Sequence, residues 1–213
     1  MYGEITPIVS AVLLAAGLST RFPGNKMLYR LRIGDREIPL IEFVVRKFIE
    51  VFDDVVVVVG HEKEKIMEVL GDSVKVIFNP RYKVGMSESV KVGVKAVMKY
   101  SDIVAIHPAD VAFILKRTLR ELLKHALNNY AVRSDFILIP KYKVKGGHPL
   151  MVGKELLPHV LGIKEEERGL KGFLSRFRDR ITYVNVDDVG VLADVDTMED
   201  MERNLPLALR KDD

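Results

Sequence analysis

The 213-residue chain contains no cysteine. That excludes disulfides, thiolate nucleophiles and sulfur-ligated zinc. The five histidines form neither H-x-x-x-H nor H-E-x-x-H, so a histidine zinc site is not expected. Long apolar runs are also missing. Val55 to Val59 is among the longest, far short of the ~20 residues that span a bilayer. The opening MYGEITPIVS lacks the basic start and apolar block of a signal peptide. A cytoplasmic protein without membrane contact is the expectation. Charge of one sign is scarce: 33 Lys and Arg against 30 Asp and Glu leave a formal +3. No basic stripe interleaved with aromatics occurs, so nucleic acid is not an expected partner. The G-x-S-x-G elbow, the P-loop and the G-x-G-x-x-G fingerprint are all absent.

What is present is ordinary globular composition, 48% apolar and 30% charged, in a chain long enough to bury a sizeable core. Short β-rich runs alternate with helical patterns. Ile8 to Ala15 reads as a strand, and Pro39 to Val51 carries apolar residues at helical spacing. DDVVVVVGHEKEKIMEVLG reads as strand, turn and helix, VKVIFNP as a strand, and Ser87 to Tyr100 as a helix with Ser87 as N-cap. DIVAIH, DFILIP and RITYVNV are further strands. Helices are expected at Phe113 to Asn129, near Gly153–Leu161 and Gly169–Phe177, and from Thr197 to Leu209, where Thr197 and Asp200 form a capping pair. KYKVKGGHPLMVG looks like a hairpin-type segment. Such alternation predicts βαβ units. The expected fold is one α/β domain over residues 1–213, a Rossmann-like three-layer αβα arrangement with a mainly parallel mixed sheet.

Ligands of such sheets bind beyond the carboxyl ends of the strands, and the unusual residues fall there. After the first strand, Gly17, Ser19, Arg21, Gly24 and Lys26 supply the small residues and cations that a phosphate needs. The same loop equally fits an ordinary βα connection. Asp110 stands just past a buried strand, where it suits Mg²⁺ or a helix cap. Asp194 and Asp196 share a face if extended and would repel unless a cation sits between them. Alternatively, they decorate the start of the closing helix. Gly146-Gly147-His148-Pro149 reads as a turn. Ser87 and Ser89 suit either capping or an anion contact.

Taken in order, these stretches resemble one family. LLAAGLSTRFPGNKML resembles the L-A-A-G-x-S-x-R-x-G-x-x-K signature of molybdenum cofactor nucleotidylyltransferases, and is most similar to the cytidylyltransferase branch. GMSESVKVGV, HPADVAFI, GHPLMVGKELLPHV and LADVDTMEDM resemble its later elements. The resemblance spans about Val9 to about Leu205. Pro23 stands where the family has glycine, and Ala112 and Met198 where it has proline.

The resemblance implies a nucleotide-diphospho-sugar transferase (GT-A-like) fold, with an NTP-binding part near 8–112 and an acceptor part near 113–205. It implies nucleotide contacts from Leu14, Ala15, Ala16, Gly17, Ser19, Gly85, Met86, Ser87 and Ser89. Arg21 and Lys26 would hold the triphosphate, and Asp110 with Asp196 and Asp194 would hold Mg²⁺ or Mn²⁺. Gly147, His148, Arg168 and Lys171 would face the acceptor. The expected reaction transfers NMP from an NTP, with CTP favoured over GTP, to a phosphorylated acceptor such as molybdopterin. Contact with a molybdoenzyme or a cofactor-insertion protein would follow. Other nucleotidylyltransferases, acting on sugar, polyol or cobinamide phosphates, remain open. So do a D-x-D glycosyltransferase and a non-catalytic nucleotide binder.

Overall fold

A computed structural model of the chain describes residues 6–212. In order, the elements are β1 (Val9–Ala15), β2 (Arg30–Ile33), β3 (Arg36–Pro39), α1 (Leu40–Ile49), β4 (Asp54–Val59), α2 (Lys63–Leu70) and β5 (Lys75–Phe78). There follow α3 (Met86–Val97), β6 (Ile103–Pro108), α4 (Lys116–Val132), β7 (Ile137–Tyr142), β8 (Lys145–Gly146) and β9 (Leu150–Gly153). The chain ends with α5 (Leu157–Val160), α6 (Leu170–Arg176), β10 (Ile181–Asn185) and α7 (Met198–Asn204).

One sheet has the order β10-β7-β9-β6-β1-β4-β5, with β8 added to β7. Its pairs are parallel except where β9 and β8 enter; β9 runs antiparallel between β6 and β7. The fold is therefore α/β with a mixed, mostly parallel sheet. All seven residues of β1 are buried, because both faces of a central parallel strand are covered. Val9, Ala11, Leu13 and Ala15 pack with α1, α2 and α4. Val12 and Leu14 pack with α3, α5 and Phe173 of α6. The period-two alternation of β1 thus assigns its residues to the two helical layers.

Gly93 sets how closely α3 lies on the sheet. A Cβ there would stand 2.2 Å from Val12 Cγ1 and 3.0 Å from Val58 Cγ2. At the opposite face of β1, Lys47 of α1 is buried beneath the turn that follows β6. Its ammonium donates to the carbonyls of Ile114 at 2.9 Å and Ala112 at 3.5 Å. Burial lowers its pKa to about 8.

Several expectations need correction. The helix expected from Phe113 begins at Lys116. Phe113, Ile114 and Leu115 form a buried turn instead, tied by Lys47, by Asp188 accepting from Leu115 N–H at 2.9 Å, and by Arg210 donating to the Phe113 carbonyl. Ser87 does not cap α3; Gly85 is its N-cap, and Ser87 lies inside the first turn. The closing helix is α only from Met198 to Asn204, and Leu205–Leu209 is 3-10. The β2–β3 hairpin had no place in the sequence reading. Among the described residues no helix is long and apolar enough to cross a membrane.

Candidate active site

The loop after β1 folds around its own polar residues. Ser19 takes a left-handed φ of 52°, and its Oγ accepts from Lys26 N–H at 3.2 Å. Phe22 is buried and packs edge-on against Tyr29, 5.6 Å between centroids. Asn25 caps the 3-10 turn Lys26–Leu28 by accepting from Met27 N–H at 3.0 Å. The backbone at Lys26 is thereby held in place.

Its ammonium points into a cluster of oxygens. Lys26 Nζ lies 2.6 Å from Asp110 Oδ2, 2.8 Å from the Val195 carbonyl and 3.2 Å from Asp196 Oδ1. Arg21 reaches the other oxygen of Asp196 at 2.7 Å. The two acidic segments are far apart in sequence, but Val195 N–H donates to the Asp110 carbonyl at 3.0 Å and holds them together. Asp200 then accepts from the backbone N–H groups of Asp196 at 3.2 Å and Thr197 at 2.9 Å. Lys26 is thus the cation between Asp110 and Asp196, whereas the sequence pattern places a cation between Asp194 and Asp196. Asp194 stands to one side; burial, then the charges of Asp196 and Asp110, raise its pKa.

The atoms that surround the Lys26 ammonium are carboxylate and carbonyl oxygens. That set fits a hard divalent cation such as Mg²⁺ or Mn²⁺. Among the described residues no group of three or more acidic or histidine ligands surrounds one point.

Two cavities meet here. The first, about 340 Å³, is lined by Leu14, Ala15, Ala16, Gly17, Ser19 and Arg21, with Lys26, Asp110 and Asp196 at its floor and Gly85, Met86 and Ser89 opposite. Tyr82 and Lys83 also line it, and the sequence reading missed both. Tyr82 packs where a Cβ on Gly60 would lie 2.5 Å from its ring and 2.7 Å from the Ala16 carbonyl. The glycine closing β4 is what lets ring and loop approach.

The second cavity, about 720 Å³, gathers Gly147, His148, Arg168 and Lys171 among Ile139, Leu150, Leu170 and Leu174. Ser87 faces this cavity rather than the first. Met86 and Pro108 border both. Gly147 lies against the turn that leads to Asp194, since a Cβ would stand 2.4 Å from the Val191 carbonyl, and His148 N–H donates to that carbonyl at 2.9 Å. Burial lowers the pKa of His148, against the pull of Asp110. Burial holds His107 neutral with a pKa of about 3, and His107 pairs through Nε2 with the Val111 carbonyl at 2.9 Å. A groove of about 710 Å³ at the other end of the sheet, around Phe52, Asp72 and Lys75, contains none of these groups.

An anion-directed loop, facing carboxylates and an adjoining apolar cavity at the carboxyl ends of the strands define a nucleotidyltransferase. A family model described as "MobA-like NTP transferase domain" matches residues 11–181, and the chain belongs to that family. The molybdenum cofactor cytidylyltransferase of Escherichia coli is 21% identical over 90% of this chain and 93% of its own length. The bifunctional protein GlmU of Rubrobacter xylanophilus is 30% identical over 57% of this chain, which spans only 25% of that protein's length. Among solved structures, Rv0371c of Mycobacterium tuberculosis superposes with a TM-score of 0.79 at 20% identity, over 94% of this chain and 99% of that one. A nucleotidyl transferase from Methanothermobacter thermautotroptrophicus gives 0.78 at 24% identity, over 95% of this chain and 98% of that one. These structural likenesses show the shared fold.

Proposed function

We propose that the chain transfers a nucleoside monophosphate from an NTP, CTP favoured, to the phosphate of a molybdopterin-type acceptor, releasing pyrophosphate. The observation that carries this reading is the Lys26 ammonium bridging Asp110 and Asp196 at the floor of the first cavity. A lysine held between carboxylates at a strand end is a group in waiting for phosphates. An acceptor phosphate oxygen attacks the α-phosphorus, the bond from that phosphorus to the β-phosphate oxygen breaks, and pyrophosphate departs. The attacking monoester is already ionised near neutral pH, with a second pKa of about 6, so no general base is required.

Positioning and charge stabilisation supply the catalysis. Asp110 and Asp196 would hold Mg²⁺, which supplies charge neutralisation at the phosphates when bound. Lys26 turns from the carboxylates to the triphosphate, and Arg21 steadies the leaving pyrophosphate. Leu14, Ala15, Ala16, Gly17 and Ser19 present backbone to the nucleotide, and Tyr82 with Ser89 closes its far side. Gly147, His148, Arg168 and Lys171 receive the acceptor.

Support for the acceptor comes from the E. coli relative, which extends over nearly the whole chain, and from molybdopterin-guanine dinucleotide biosynthesis protein A of Archaeoglobus fulgidus, with a TM-score of 0.66 over 93% of this chain and 97% of that one. A structure of Rv0371c in complex with manganese supports a divalent cation. The test is pyrophosphate release from CTP, GTP, ATP and UTP, each with molybdopterin and with a panel of sugar phosphates. Release from CTP that depends on molybdopterin is the expected result. Release only with a sugar phosphate overturns the acceptor, and sugar transfer without pyrophosphate overturns the reaction.

A further inference from the structure

The N-terminus of α3 is capped by a residue from another part of the chain. Gly85 has no side chain to offer, and the first turn carries no local side-chain cap. Instead Glu165, 78 residues on, accepts from Ser87 N–H through Oε2 at 3.0 Å. The fit is tight, since a Cβ on Gly85 would lie 2.5 Å from the Glu165 carboxyl carbon. A carboxylate therefore sits where a helix start offers free N–H groups and positive potential.

A second observation marks this place as a ligand seat. The hydroxyl of Ser87 is buried and has no hydrogen-bond partner, although Ser87 is only 3% exposed. It lies beneath Gly169, where a Cβ would stand 2.5 Å from Oγ. A buried hydroxyl left without a partner is costly, because it has lost its water and gained nothing in return. The Glu165 carboxylate satisfies the N–H beside it but leaves the hydroxyl unmet. Ser87, Glu165, Arg168, Gly169 and Lys171 all line the acceptor-side cavity. Among the described residues neither Arg168 nor Lys171 forms an ion pair, and neither does Glu165. Two free cations and a self-supplied anion share one wall.

We infer that Ser87 N–H and Oγ form an anion seat on the acceptor side, which Glu165 holds and a phosphate group exchanges for. A phosphate has an oxygen for the N–H and a second for the hydroxyl, and its charge meets Arg168 and Lys171 as the Glu165–Glu167 turn yields. The acceptor's own phosphate is the expected occupant, so the inference rests on the proposed reaction for that identity, but not for the seat itself.

The experiment titrates inorganic phosphate into the full chain and follows the Ser87 backbone amide by ¹⁵N NMR. In the unaltered chain the amide responds weakly. In Glu165→Ala it saturates at phosphate concentrations at least about tenfold lower, the expected scale for removing a competing anion of about 1.4 kcal/mol. Glu165→Gln, which keeps the side chain's shape, gains less. Adding Ser87→Ala to Glu165→Ala reverses the gain. If Glu165→Ala and Glu165→Gln bind phosphate no more tightly at this amide than the unaltered chain, the carboxylate is a fixed cap and the seat is wrong. This readout needs no turnover. A chain that binds phosphate here yet releases no pyrophosphate with any acceptor would keep the seat and lose the proposed reaction.

Discussion

The two cavities share Met86 and Pro108, yet they are built on different principles. The first is floored by charges that neutralise one another: Lys26 and Arg21 against Asp110 and Asp196. The second is walled largely by Ile139, Leu150, Leu170 and Leu174. Parallel strands deliver the first, through loops that leave the carboxyl ends of β1 and β6. The antiparallel insertion β9 helps deliver the second, with the turn of residues 146–149 just before it. On the proposed reading the difference has a reason: a triphosphate is the same in every NTP, so a charge cluster suffices to hold it, whereas an acceptor has shape, and shape is recognised by apolar contact.

The largest effect that bears on this contrast is Asp110→Ala. Turnover, read as pyrophosphate release, should fall by at least roughly 10²–10³-fold, while acceptor binding to the second cavity stays intact. Near-normal turnover would remove Asp110 from the cation site. Next comes the ground between the cavities and α1. Lys47 is held by burial at a pKa of about 8, whereas in the unfolded chain it titrates near 10.5. The unfolded state therefore binds more protons between those values, and the chain gains stability as pH rises through that window. The gain is about 3 kcal/mol, and Lys47→Met should flatten it in urea midpoints taken from pH 7.5 to 10. Smaller still, Leu174→Ala should raise the acceptor KM roughly tenfold, the scale of lost apolar contact in a pocket, and leave the NTP KM unchanged. A shift in both constants would show that the cavities are not separable. The smallest effect is expected from Arg21→Ala. Its side chain is 66% exposed, so an increase of a few-fold in the NTP KM, shrinking with added salt, is the expected outcome.

Much of the lining of the first cavity is legible in the sequence because its signals are local. The unbroken burial of β1 shows as an apolar run, and the cations of its loop, Arg21 and Lys26, lie six and eleven residues past its end. The pairing of Asp110 with Asp196 is less so. Period two suggests a cation near Asp194 and Asp196, but a backbone hydrogen bond from Val195 N–H brings Asp110 in, and Lys26 sits between Asp110 and Asp196. The buried turn at Phe113–Leu115 passes for a helix start because apolar residues at a turn and at a helix start look alike. Only Lys47, Asp188 and Arg210, all distant in sequence, reveal what ties it down. Glu165 lay hidden in a run of three glutamates, and nothing local says that one of them caps a helix 78 residues earlier. The β2–β3 hairpin does carry a local signal, Gly34-Asp35 between two short alternating runs.

Gly93 has a reach beyond its own contact. The missing Cβ lets α3 rest on Val12 and Val58, and the same helix presents Met86 to both cavities at its other end. A single methyl at position 93 would act as a wedge under a lever, lifting the helix start away from the strand ends. Nucleotide and acceptor sides would then lose their alignment together, although no residue of either had been touched.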